Sequence, residues 1–175
     1  MSTEQNVYLI GPMGVGKTTI GKSLARQLRL EFVDADQEIE KHTGVSIAPI
    51  FDIEGEEAFR VREKTMIEKL TTRRGIVLAT GGGVILDAGN RNNLRKSGTV
   101  IYLHASVDLQ LERTRNDKNR PLLNRGDDRR AILESLMAER DPFYRGEADH
   151  VIATDGQSPQ AVARHIAREL MKSWP

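Results

Sequence analysis

Residues Gly11-Pro12-Met13-Gly14-Val15-Gly16-Lys17-Thr18 set three glycines, a lysine and a hydroxyl at the spacing of a Walker A loop. An apolar run, Val7 to Ile10, precedes them as a candidate strand, and Ile20, Leu24 and Leu28 follow at helical spacing. Glycines let the backbone wrap with its N–H groups inward, and a helix N-terminus adds positive partial charge, so together they cradle a phosphate chain. Lys17 then reaches the β- and γ-phosphates of a nucleotide, and the Thr18 hydroxyl is placed for magnesium. The bland alternative is a chance glycine-rich turn before a helix. Motif and context agree against it. The loop alone names a donor and not a reaction. A guanine-selecting Asn-Lys-x-Asp sequence is absent, and Asn116-Asp117-Lys118-Asn119 does not match one. A chain of 175 residues leaves no room for the added elements of most mechanical ATPases, so a small-molecule kinase is the expected class.

Residues that would meet an acceptor lie further along. Asp34 and Asp36 bracket the end of a second apolar run, and in an extended chain both carboxylates would face one cleft. Asp34 would hold magnesium through water and Asp36 would meet an acceptor hydroxyl. Asp36 is equally suited to cap a helix beginning near Gln37. Arg60 follows Gly55-Glu56-Glu57-Ala58-Phe59, and its simplest reading in isolation is surface pairing with Glu56 or Glu63. Thr80-Gly81-Gly82-Gly83 ends a third apolar run, where ligands of open α/β sheets sit, with Gly82 central to a close approach. Arg140 continues the apolar stripe of Ile132, Leu133, Leu136 and Met137. It either snorkels out at a helix end before a Pro142 stop or faces the cleft as a cation for an anionic acceptor.

The elements that would carry these residues alternate strand and helix. Val7–Ile10, Glu31–Asp34, Ile76–Ala79, Val100–Leu103 and Val151–Ala153 are five candidate strands, and a doubly wound parallel sheet is the economical α/β topology. Ser158 caps a last helix with Pro159 at its first position and Val162, Ile166 and Leu170 inward. Residues 36–70 are too long for one crossover helix, since Thr43-Gly44 and Glu54-Gly55 punctuate them. Residues 116–127, NDKNRPLLNRGD, have the composition of a mobile loop. One domain, residues 1–175, accounts for the length.

Lys and Arg number 26 against 25 Asp and Glu, which argues against a nucleic-acid partner held by bulk charge. No cysteine is present, so disulfides and thiolate metal sites are excluded. The histidines show no metal-ligand spacing. With no export signal and no apolar run near 20 residues, a cytoplasmic protein without a membrane span is expected.

The segments GPMGVGKTTIGKSLA, DADQEIE, GEEAFRVRE, ATGGGV, RPLL and MAERDPFY, in this order over nearly the whole chain, together resemble the shikimate kinases. That resemblance implies a three-layer P-loop fold of the nucleoside-monophosphate-kinase-like group, with a five-stranded parallel sheet, helices on both faces and a mobile lid. It implies transfer of the γ-phosphoryl of ATP, with Mg2+, to the 3-hydroxyl of shikimate in the pathway to aromatic amino acids. It assigns Asp36, Arg60, Gly82 and Arg140 to shikimate, within a substrate-binding region near residues 34–62. Gly14, Val15, Gly16, Lys17, Thr18 and Thr19 fall to ATP, and Thr18, with Asp34 through water, to magnesium. Lys17, Asp36 and Arg120 would be catalytic, with Arg120 the arginine of a lid spanning about residues 113–127. Arg113 would stack near adenine and Gln157 lie in the adenine-contacting segment. Gln157 stands where relatives often carry a basic residue, and Pro49 where they carry a non-proline; at the first turn after a Ser46 cap it loses no intrahelical bond. A monomer is the form the resemblance implies. The rival readings are a kinase for gluconate or a nucleoside monophosphate, a nucleotide-binding regulator without turnover, and a P-loop module on nucleic acid. The paired arginines and glycine run disfavour the first, the lid and Asp36 the second, and the neutral charge the third.

Overall fold

The computed structural model describes residues 4–117, 120–125 and 128–175. Among these, five parallel strands form one sheet in the order β2-β3-β1-β4-β5: β1 (Val7–Ile10), β2 (Glu31–Asp34), β3 (Ile76–Ala79), β4 (Thr99–His104) and β5 (His150–Ala153). β1 is wholly buried, which explains why its sequence is continuously apolar instead of alternating. Its alternate side chains serve two cores. Val7 and Leu9 pack with Ile20 and Leu24 of α1 (Lys17–Leu28) and Val162, Ile166 and Leu170 of α7 (Pro159–Ser173). Tyr8 and Ile10 face the opposite layer, which holds α2 (Ala35–Thr43), α3 (Ile47–Leu70), α4 (Ala88–Ser97) and α6 (Arg129–Glu147). The expected helices on both faces of the sheet are therefore present.

Register brings the acceptor-side segments together. Asp34 at the end of β2 lies beside Ala79 of β3, so the Asp34-Ala35-Asp36 corner and the glycine run after β3 emerge side by side. The switch in strand order between β3, β1 and β4 opens the crevice in which doubly wound sheets bind ligands. α3 is broken at Gly55 (φ 87°, ψ 169°), and Glu54 and Arg62 bridge the break through two hydrogen bonds of 2.9 and 2.8 Å. Pro49 occupies the first turn of α3, after Ser46.

Two expectations about helices need correction. α2 begins at Ala35, not near Gln37, and its cap is Asp34, whose Oδ1 accepts from the Gln37 N–H at 3.1 Å. Asp36 is thus in the first helical turn and not in extended chain, and its carboxylate is free of the capping duty. α6 runs through Pro142 to Glu147 instead of stopping. Tertiary contacts outweigh the local cost of proline: Tyr144 is fully buried beside Tyr102, and Asp141 accepts from both the Tyr102 hydroxyl (2.7 Å) and Arg145 (2.9 Å). No described helix is long and apolar enough to cross a membrane.

Candidate active site

α1 starts from Gly16, which is left-handed (φ 95°), a conformation costly for residues with a Cβ. No side chain caps this helix and its first turn holds no acid, so its leading N–H groups are left for an anion. The Lys17 ammonium donates to the carbonyls of Gly11 (2.5 Å) and Pro12 (2.8 Å). Burial, then Arg120, pulls the Lys17 amine down to about 7, against the pull of Asp36 and Asp34. The Thr18 hydroxyl donates to Asp34 at 2.9 Å, which sets a hydroxyl and a carboxylate together beside the loop.

Two clefts of about 490 Å3 each meet at this point. Gly14, Gly16, Lys17, Thr18, Thr19, Asp34 and Arg113 line the first. Arg60, Glu63, Gly83 and Arg140 line part of the second. Asp36, Gly81, Gly82, Met13 and Arg120 belong to both, so they form the wall the clefts share. The Asp36 Oδ1 is buried there with no hydrogen-bond partner, as are the Nε atoms of Arg60 and Arg140. Burial, and then the neighbouring Asp34, raise the Asp36 carboxyl above the usual carboxylate range, while Lys17, Arg120 and Arg60 oppose the rise. Buried polar groups are rarely left unpaired. One carboxylate oxygen and two guanidinium N–H groups around one cleft suit an acceptor carrying both a hydroxyl and an anionic group.

Arg60 makes the predicted pairs, to Glu63 at 2.9 Å and Glu56 at 3.4 Å, but they are no surface network. Glu63 is only 2% exposed, and the guanidinium lies on the cleft wall. A Cβ on Gly83 would collide with that guanidinium, so the glycine run is a tight fit here, and at Gly81, where a Cβ would come 2.9 Å from Glu63. At Gly82 a Cβ would meet Arg140 (3.4 Å) and the loop atoms Met13 N (3.6 Å) and Gly11 O (3.7 Å) at ordinary contact distance, and the residue lines the cleft. Arg140 is buried and turned inward, not snorkelled outward.

Arg113, on the last turn of α5 (Val107–Thr114), donates to the carbonyl of Val15 at 2.8 Å and reaches that of Gly14 at 3.3 Å. Arg120 pairs with Asp117 at 2.9 Å. Residues 118–119 and 126–127 of the expected lid lie outside the described residues. Gln157 bonds the carbonyl of Ala153 at 2.8 Å, and it is Pro159 of that segment that lines the first cleft.

The family model described as "SKI: Shikimate kinase" matches residues 13–171. The chain belongs to the shikimate kinase family. A shikimate kinase of Buchnera aphidicola subsp. Acyrthosiphon pisum is 52% identical over 170 residues, covering 97% of this chain and 98% of that one. One of Pseudoalteromonas atlantica is also 52% identical, over 97% of this chain and 99% of its own length. A solved shikimate kinase from Acinetobacter baumannii, in complex with shikimate, superposes with a TM-score of 0.95 at 46% identity, covering 98% of this chain and 95% of that one. As a member of the shikimate kinase family the chain is an ATP-dependent small-molecule kinase, with ATP as co-substrate.

Three residues of the site escaped sequence reading. Glu63 looked like a surface partner because nothing local distinguishes a buried i,i+3 pair from an exposed one. Gly83 was one of three glycines, and only the approach of Arg60 singles it out. Tyr144, whose hydroxyl donates to the Gly82 carbonyl at 2.5 Å, lay beyond the supposed stop at Pro142.

Proposed function

We propose that the first cleft holds ATP, the second holds shikimate, and the γ-phosphoryl passes to the 3-hydroxyl across their shared wall, giving shikimate 3-phosphate and ADP. The observation that carries this reading is the place of Asp36. It stands between the Lys17 loop and the two arginines, with one oxygen unpartnered. The Arg60 and Arg140 guanidinium groups bind the shikimate carboxylate; a charge-assisted hydrogen bond is worth about 1.5–3 kcal/mol net, enough for two arginines to select an acid over a neutral polyol. Asp36 orients the 3-hydroxyl and accepts its proton late, as suits a loose transition state in which the proton need not leave early. Its raised pKa improves it as an acceptor.

The α1 N-terminus, with backbone N–H groups from Gly14, Val15, Gly16, Thr18 and Thr19, binds the phosphates, and Lys17 leaves the loop carbonyls to join them. Thr18 and Asp34 offer the hard oxygen donors that suit Mg2+, Thr18 directly and Asp34 through water. When bound, the ion neutralises charge on the β- and γ-phosphate oxygens. Residues 34–62 form the acceptor region and the 113–127 segment acts as a lid. The lid role rests on Arg120, which borders both clefts, and on Arg113 beside the loop. Gln157 falls in the segment that borders adenine. The chain acts as a monomer in the cytoplasm. The deciding experiment is a coupled assay of ADP release with shikimate, with gluconate and with no acceptor. ADP release should depend on shikimate; equal release without an acceptor, or with gluconate, would sink the assignment.

A further inference from the structure

The Tyr144 hydroxyl is a buried group that the transfer just described does not use. It lies on α6 one turn after Arg140, so both side chains project from one face of the helix. The ring is fully buried and stacks at 4.9 Å on Tyr102, which holds it in one orientation. Its oxygen donates to the Gly82 carbonyl at 2.5 Å, and the Arg140 guanidinium lies beside both groups, 3.4 Å from where a Cβ on Gly82 would stand. Gly82 follows β3 and Arg140 belongs to α6, so a single atom ties two elements at the acceptor cleft.

We propose that Tyr144 is a positioning residue for the acceptor's carboxylate, its hydroxyl holding the Arg140 guanidinium and the Gly82 peptide as one preorganised unit. The inference rests on Arg140 and Gly82 facing the acceptor. An arginine has many rotamers, and fixing it before binding removes an ordering cost that substrate binding would otherwise bear. The Gly82 peptide, lining the cleft and pinned through its carbonyl, keeps a constant distance from Arg140. Arg140 borders the second cleft and not the first, so the effect is expected mainly on the acceptor.

The test is Tyr144→Phe, which removes one oxygen and keeps the ring. The expected result is a rise of about 10-fold in KM for shikimate, in line with loss of one hydrogen bond, while KM for ATP and kcat stay within about 3-fold. A merely structural tyrosine would weaken both substrates alike, and that outcome, or an unchanged shikimate KM, overturns the proposal. In an Arg140→Lys background Tyr144→Phe should add under about 2-fold, since Tyr144 acts through Arg140; full additivity also overturns it. Arg140→Lys alone separates the two readings. If it leaves the shikimate KM unchanged, the acceptor site itself is misassigned; if it raises that KM while Tyr144→Phe does not, only the role of Tyr144 fails. Should Tyr144→Phe not fold, 3-fluorotyrosine in place of Tyr144 alters the strength of the same hydroxyl at nearly constant volume. It should shift KM for shikimate and not for ATP, and no shift overturns the proposal.

Discussion

Asp36 answers to two opposed demands, and its pKa reports the conflict. Burial and the neighbouring Asp34 raise it, so the folded protein holds this proton more tightly than the unfolded chain does. As pH rises through the usual carboxylate range the unfolded state ionises first, and folding stability falls until Asp36 ionises as well. Above the ordinary carboxylate range Asp36 is therefore a net cost to the ligand-free fold. Asp36→Asn is expected to raise the melting temperature of the ligand-free protein at pH 7, by about 2–4 °C for each kcal/mol relieved. The same substitution should lower kcat by about 100-fold or more, the scale of a lost proton acceptor. The gain should shrink as the melts are taken to lower pH, because the native carboxyl takes up its proton before the unfolded chain does. A lower melting temperature at pH 7 would show that the charge is fully compensated by Lys17, Arg120 and Arg60. In the wild type, the acid limb of the kcat profile should fall above the ordinary carboxylate range.

The elements were legible wherever local pattern and tertiary need agree. The five strands read as apolar runs because both faces of the sheet are covered, and the Gly16-Lys17 start of α1 is written in the residues that make it. The α2 cap fell to Asp34 and not to Asp36 because the helix start depends on where β2 stops pairing with β3, at Asp34 beside Ala79, and no local rule carries that. α6 outran Pro142 because burying Tyr144, two residues past the proline, is a tertiary gain that the local rule for proline does not count. The break in α3 was announced by Glu54-Gly55, and it can be tested in isolation. Nothing lies within 4 Å of a Cβ built on Gly55, so Gly55→Ala costs backbone strain and no packing. At φ 87° and ψ 169° the expected penalty is about 1–3 kcal/mol. Urea titration should show a lower midpoint with an unchanged slope. Because Arg60 lies on α3 little more than a turn past the break and lines the second cleft, KM for shikimate should rise more than KM for ATP. Unchanged stability would mean that the helix straightens without cost.

At the scale of the molecule, the two clefts share a wall, so substrates held as proposed would feel each other. Arg120 borders both and is held by Asp117 at 2.9 Å, whereas Lys17 and Arg140 each border only one. A nucleotide phosphate that draws Arg120 towards the shared wall changes what shikimate meets, and shikimate does the same for the nucleotide. Linkage makes this reciprocal: the factor by which a non-hydrolysable ATP analogue tightens shikimate binding must equal the factor by which shikimate tightens the analogue. Titration calorimetry should find that common factor within about 5–150-fold, the usual span of such couplings. Arg120→Ala should bring it close to one while leaving each separate affinity within a few-fold. It should also lower kcat by at least about 100-fold, towards the roughly 10³–10⁵ ascribed to arginine fingers. Coupling that survives Arg120→Ala would move the communication to Asp36 and the glycine run. A normal kcat in the same variant would remove Arg120 from the transition state.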